Sequence, residues 1–112
     1  IAPGHTPGCL VFVLHGKDRD VLSTGHAAKN RPELITRAAD MTYDPAVSRR
    51  SIEMIWDLWR RKPGSIVVPG HDLPMTQADG RITQLGRHEA GITSWLANDL
   101  ETTTLFELTV KA

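Results

Sequence analysis

With 112 residues, 13 basic and 13 acidic side chains and no net charge, the sequence suits one small domain or part of a larger one. The charge balance excludes charge-driven recognition of nucleic acid or a membrane surface, and no apolar run nears the ~20 residues of a membrane span. A single cysteine, Cys9, excludes an internal disulfide and makes a reducing cytoplasm the expected compartment.

The chain opens with IAPGHTPGCL, two Pro-Gly turns around His5, and has neither the charged nor the apolar region of a signal peptide. Such a start reads as the middle of a larger scaffold. From Cys9 to His15, CLVFVLH is a continuous apolar run that predicts a strand buried on both faces, with Cys9 as a small buried side chain at its start. GKDRD then has hairpin-turn composition and VLST is the return strand, broken at Gly25. Pro32 fits the first turn of a short helix.

The clearest element follows. Asp44 is an N-cap, Pro45 a first-turn proline, and Ile52, Ile55, Trp56 and Trp59 recur at helical spacing, with both tryptophans as core anchors. Lys62-Pro63-Gly64 stops the helix, and SIVV predicts a short buried strand ending in PGHD. ADGRITQLG reads as a turn and a short strand around Asp79-Gly80. GITSWLANDLETTTLFELTV reads as two short strands joined by Asn98-Asp99, although its first half also fits helical spacing. The sum is an α/β arrangement in which the main helix covers one sheet face and a layer from elsewhere covers the other.

Three of the five histidines follow a glycine: His5 in PGHT, His26 in TGHA and His71 in PGHD. His26 and His71 directly follow predicted strands and His5 precedes one, so neighbouring strands would bring them to one sheet edge. Glycine lets the backbone turn sharply there. Imidazole is a good zinc ligand, and three protein ligands with an open position is the catalytic arrangement. Asp72 is placed to orient a ligand by a hydrogen bond or to assist proton transfer. A histidine after glycine is also a common turn residue, and spacings of 21 and 45 residues match no short zinc motif. His15 and His88 lack this context and read as solvated or structural.

In order along the chain, APGHTPGCLVFVL, VLSTGHAAKNRPEL and IVVPGHDLP resemble the C-terminal half of a metallo-β-lactamase-fold metallohydrolase, in the branch of lactonase-like and general hydrolases. The resemblance runs over nearly all of residues 1–112, taken as one half-domain. It implies an α/β (α+β) fold that is half of a four-layered αβ/βα sandwich, a mixed sheet with helices on its outer face. It also implies metal-binding histidines at His5 and His71, and hydrolysis of an ester, lactone or amide by metal-bound hydroxide.

Two departures stand out. The family's His-x-His-x-Asp-His cluster is absent, and where the family has a metal-bridging aspartate this chain has His26. An imidazole brings no charge and offers one lone pair at a time, so the expected site is a single zinc, or another divalent transition metal, on His5, His26 and His71. Tyr43 and Lys29 are candidates for contacting a small-molecule substrate. The missing half implies a homodimer packed sheet to sheet or a complementary N-terminal half. The competing expectation is a truncated, catalytically silent module that works by association.

Overall fold

The computed structural model describes residues 1–87, 91–94 and 104–107. These residues form an α+β domain with a five-stranded mixed sheet and two helices. The strands β1 (Phe12–His15) and β2 (Asp20–Gly25) make an antiparallel hairpin. The helices α1 (Arg31–Thr36) and α2 (Pro45–Arg60) then carry the chain to β3 (Ile66–Pro69), which runs parallel to β2. The strands β4 (Met75–Ala78) and β5 (Arg81–Gln84) continue the sheet antiparallel, in the order β1-β2-β3-β4-β5. A separate antiparallel pair joins β6 (Gly91–Ser94) to β7 (Thr104–Glu107). These are the two tail strands expected from the sequence; Asn98-Asp99 lies outside the described residues, as does His88.

The helix starts follow from their caps. Asn30 Oδ1 accepts from the Glu33 amide at 3.0 Å, and Asp44 Oδ1 accepts from the Val47 amide at 3.1 Å, each with a proline in the first turn. Ile52, Ile55, Trp56 and Trp59 form the buried stripe of α2 and pack with Leu34 of α1 over Leu22, Val67 and Met75 of the sheet. Both indole N–H groups are satisfied inside this core: Trp56 donates to the Leu34 carbonyl and Trp59 to the Ser65 carbonyl, each at 2.8 Å. Asp79 and Gly80, at φ 51° and 79°, make the left-handed two-residue turn that suits a tight hairpin between β4 and β5.

Three expectations are corrected. The Cys9–His15 run is not a strand buried on both faces: β1 begins at Phe12, lies at the sheet edge, and leaves Phe12 and Leu14 each 61% exposed. Among the described residues only β2 pairs with it, and the helices cover the opposite face. Cys9 is half-buried in the preceding turn, its Sγ 3.2 Å from Thr6 Oγ1, and does not open the strand. The segment around Asp79-Gly80 is a full hairpin, because Met75–Ala78 pairs as well; its polar residues hid the strand.

Among the described residues no helix is long and apolar enough to cross a membrane.

Candidate metal centre

Because β2 and β3 are parallel neighbours, His26 and His71 emerge at the same sheet edge. The segment leading into β1 arrives at that edge too, since β1 runs antiparallel to β2. His5 is seated there by the start of α2: Ser51 Oγ donates to the Pro3 carbonyl at 2.6 Å, and the Asp44 amide donates to the Gly4 carbonyl at 3.0 Å. Gly4 has φ 142°, and a Cβ there would lie 2.5 Å from the Ser48 Cα, so only glycine lets this turn rest on the helix. His71 is set by its amide, which donates to the Lys29 carbonyl at 2.8 Å, and by Gly70, whose amide donates to the Gly25 carbonyl at 3.1 Å. A Cβ on Gly70 would come within 2.5 Å of that same carbonyl oxygen.

The three rings meet. His26 Nδ1 lies 3.1 Å from His5 Nε2, and His26 Nε2 lies 2.9 Å from His71 Nε2. The His5 and His26 rings are edge to face, with centroids 4.7 Å apart, while the His26 and His71 rings are inclined by 28° at 5.0 Å. His5 Nδ1 is 2.8 Å from the Met41 carbonyl, which can only accept; that nitrogen therefore carries the proton and Nε2 the lone pair. By the same logic His26 Nδ1 donates to His5 Nε2, and His71 Nε2 donates to His26 Nε2. One consistent set of neutral tautomers runs through the chain of rings. His26 and His71 are exposed and His5 is half-buried, so the group is open to solvent.

The donor set suits a divalent transition metal, since neutral imidazoles are borderline-soft nitrogen ligands. The arrangement is serial and not convergent: the two nitrogens of His26 face different partners. Among the described residues no three His, Cys, Asp or Glu side chains surround a common point as a metal-holding group.

The remaining candidates are positioned differently. The Asp72 carboxylate accepts from the Arg31 amide at 2.8 Å, the Leu73 amide at 2.7 Å and the Gln84 side chain at 2.9 Å. It thereby ties the loop after His71 to the start of α1 and to β5. Lys29 Nζ pairs with Glu33 at 2.7 Å and donates to the Asp40 carbonyl at 2.6 Å, so its ammonium is engaged by its own loop. Tyr43, 82% exposed, lines a cleft of about 200 Å³ with Pro3, Gly4, Pro7, Asp44 and Val47, behind the His5 turn. His15 pairs with buried Asp20 at 3.2 Å, a structural role at the hairpin base.

Sequence reasoning missed Glu33 and Met41. The buried Glu33 carboxylate accepts from the Lys29 amide at 2.8 Å and the Asp40 amide at 3.0 Å, shaping the loop that carries Met41 to His5. Its signal was present as Asn30-x-x-Glu33, the spacing of a helix-start capping pair. Met41 acts through its main-chain carbonyl, to which side-chain identity is no guide.

Comparison with protein-family models, with curated proteins and with solved structures found no match for this chain.

Proposed function

We propose that the chain is the C-terminal half of a metal-dependent hydrolase of the metallo-β-lactamase fold, acting on an ester, lactone or amide. The observation that carries this reading is the succession of His5, His26 and His71 within hydrogen-bonding distance at one open sheet edge. Histidines drawn from three distant points of the chain meet there on turns that glycine and main-chain hydrogen bonds hold in place. A bound zinc, or another divalent transition metal, would supply Lewis acidity: it polarises a carbonyl and acidifies a water.

The chain's own residues would hold and frame that ion. Met41 keeps His5 in the tautomer whose Nε2 lone pair faces the site, and Asp72 holds the loop of His71 in register. Tyr43 offers an apolar surface beside the His5 turn for the non-reacting part of a small substrate. Lys29 serves this site by fixing the 29–40 loop. On this proposal the mixed sheet is half of a four-layered αβ/βα sandwich, with the second half supplying the remaining ligands. Equilibrium dialysis against zinc, followed by metal analysis, tests the proposal. Zinc should be retained by the wild-type protein and lost when His5 and His71 are both replaced by alanine. A wild-type chain that takes up no zinc would overturn it.

A second reading is favoured by the open sheet face: a catalytically silent module that works by association. Phe12 and Leu14 of β1 share that face with Val21 of β2 and with Ile66 and Val68 of β3. Apolar surface left uncovered gains roughly 25 cal/mol for each Å² buried on association. A second copy or a complementary N-terminal half would satisfy it. Sedimentation distinguishes these from a monomer, and zinc binding separates this reading from the first.

A further inference from the structure

We propose that the buried Lys29–Glu33 ion pair is the positioning element of the histidine trio: it fixes the tautomer of His5 through the 37–41 loop and seats His71 through the main chain of Lys29. This rests on the reading above for what the histidines do, and goes beyond it in naming what holds two of them in a common frame.

The loop that ends at Met41 has a conformation it would not keep unaided. Arg37 and Met41, neither of them glycine, have φ of 57° and 50°, in the left-handed region that a β-carbon disfavours. Such residues persist where their surroundings over-determine them. The Met41 side chain is exposed and gives no packing that would do so. The restraint comes from the ion pair. Glu33 Oε1 accepts from the Asp40 amide at 3.0 Å, Lys29 Nζ donates to the Asp40 carbonyl at 2.6 Å, and the two side chains meet at 2.7 Å. Both main-chain polar groups of Asp40 are thereby gripped, one residue before the carbonyl that accepts from His5 Nδ1.

The same pair reaches His71. Glu33 Oε2 accepts from the Lys29 amide at 2.8 Å, and the Lys29 carbonyl accepts from the His71 amide at 2.8 Å. His5 and His71, far apart in the chain, are thus tied to one carboxylate, through Asp40-Met41 and through Lys29. Stability alone accounts poorly for such a pair, because apolar side chains of the same volume often match or better a buried ion pair. What they could not do is accept from two amides and donate to a carbonyl at once, and those three groups lead to the histidines.

The tautomer is where positioning and stability part. Without the Met41 carbonyl the His5 ring would favour its proton on Nε2, and would then turn a donor towards the donating Nδ1 of His26. Ring proton–nitrogen correlation spectra of the metal-free chain, in mildly alkaline buffer, read the tautomer of each histidine. Glu33→Gln keeps the volume but offers one accepting oxygen in place of two and turns its NH2 on an amide donor. Wild type should show His5 almost wholly protonated at Nδ1. In the variant that population should fall by about half or more, and the coupling across the hydrogen bond from the His71 amide to the Lys29 carbonyl should shrink by about half. Lys29→Met combined with Glu33→Gln, which leaves no unpaired buried charge, should show the same two changes. Ile55→Val, a core substitution that touches none of these bonds, should show neither although it lowers stability.

Wild-type His5 protonated at Nε2, or a folded variant that retains the wild-type tautomer or the His71 coupling, overturns the proposal. The same two changes in Ile55→Val would do so too, as would failure of both pair variants to fold, which assigns the pair to stability alone. The readout involves no metal, so a chain that takes up no zinc removes the hydrolase reading and leaves this result standing on the ring resonances.

Discussion

On one face of the five-stranded sheet, Leu22, Val67 and Met75 are fully buried beneath Ile52, Ile55, Trp56 and Trp59. On the other, Phe12 and Leu14 stand largely exposed beside half-buried Val21, Ile66 and Val68. The two faces are built from similar side chains at alternating positions of the same strands. What separates them is coverage: the connection from β2 to β3 lays both helices on one side. The covered face holds the domain together. The bare face is where a second layer would add stability, and it adjoins the edge where the imidazoles gather.

The contrast between the faces can be broken at its strongest point. Trp59→Ala removes a fully buried side chain and its bond to Ser65, and should cost about 3–5 kcal/mol in urea unfolding. A loss below 1 kcal/mol would mean that the helix-covered face is not the core. At the rim, Gly70→Ala drives a Cβ into the Gly25 carbonyl, and a loss of about 1–3 kcal/mol is expected. The same substitution should separate His26 from His71, seen as altered imidazole resonances.

Smaller effects sharpen the contrast. Phe12→Ser with Leu14→Ser should change the stability of the monomer by no more than about 0.5 kcal/mol per site, while weakening any association seen by sedimentation. A large loss of monomer stability would mean that the bare face is already covered. The smallest effect concerns Asp20, whose carboxyl is held below its ordinary value of 3.8 first by the Lys62 ammonium and also by His15, against the opposing pull of burial. A carboxyl whose pKa falls on folding contributes stability above its unfolded value and loses it as the pH drops through the lower folded value. The stability advantage of wild type over Lys62→Met should be flat above about pH 5 and shrink below about pH 4. Thermal unfolding across that range measures it, and an advantage that grows on acidification would reverse the assignment.

Much of this was legible beforehand. Asp44-Pro45 and the apolar stripe of α2 announce the helix locally, because cap and period lie within the segment itself. The meeting of His26 and His71 was legible as two Gly-His steps at the ends of strands, which becomes proximity once β2 and β3 pair in parallel. The orientation of the rings was not. Which nitrogen of His26 faces which neighbour depends on Met41, Gly70 and Gly25, contacts made across dozens of residues. The edge position of β1 was hidden for a related reason: apolarity signals a tendency to be buried, and only topology decides whether something arrives to do it. Asp72 shows the same limit, since its partners on Arg31 and Gln84 come from other elements.

The seating of Pro3 and Gly4 on the opening turns of α2 has a bearing on how the molecule comes apart. His5 keeps its place only while that helix start is formed, and His71 keeps its own only while two parallel strands stay zipped. No partial opening of either region could spare the trio, so dispersal of the imidazoles should coincide with the first loss of helix–sheet docking. Their ring protons would then serve as a built-in gauge of domain integrity, readable without any added label.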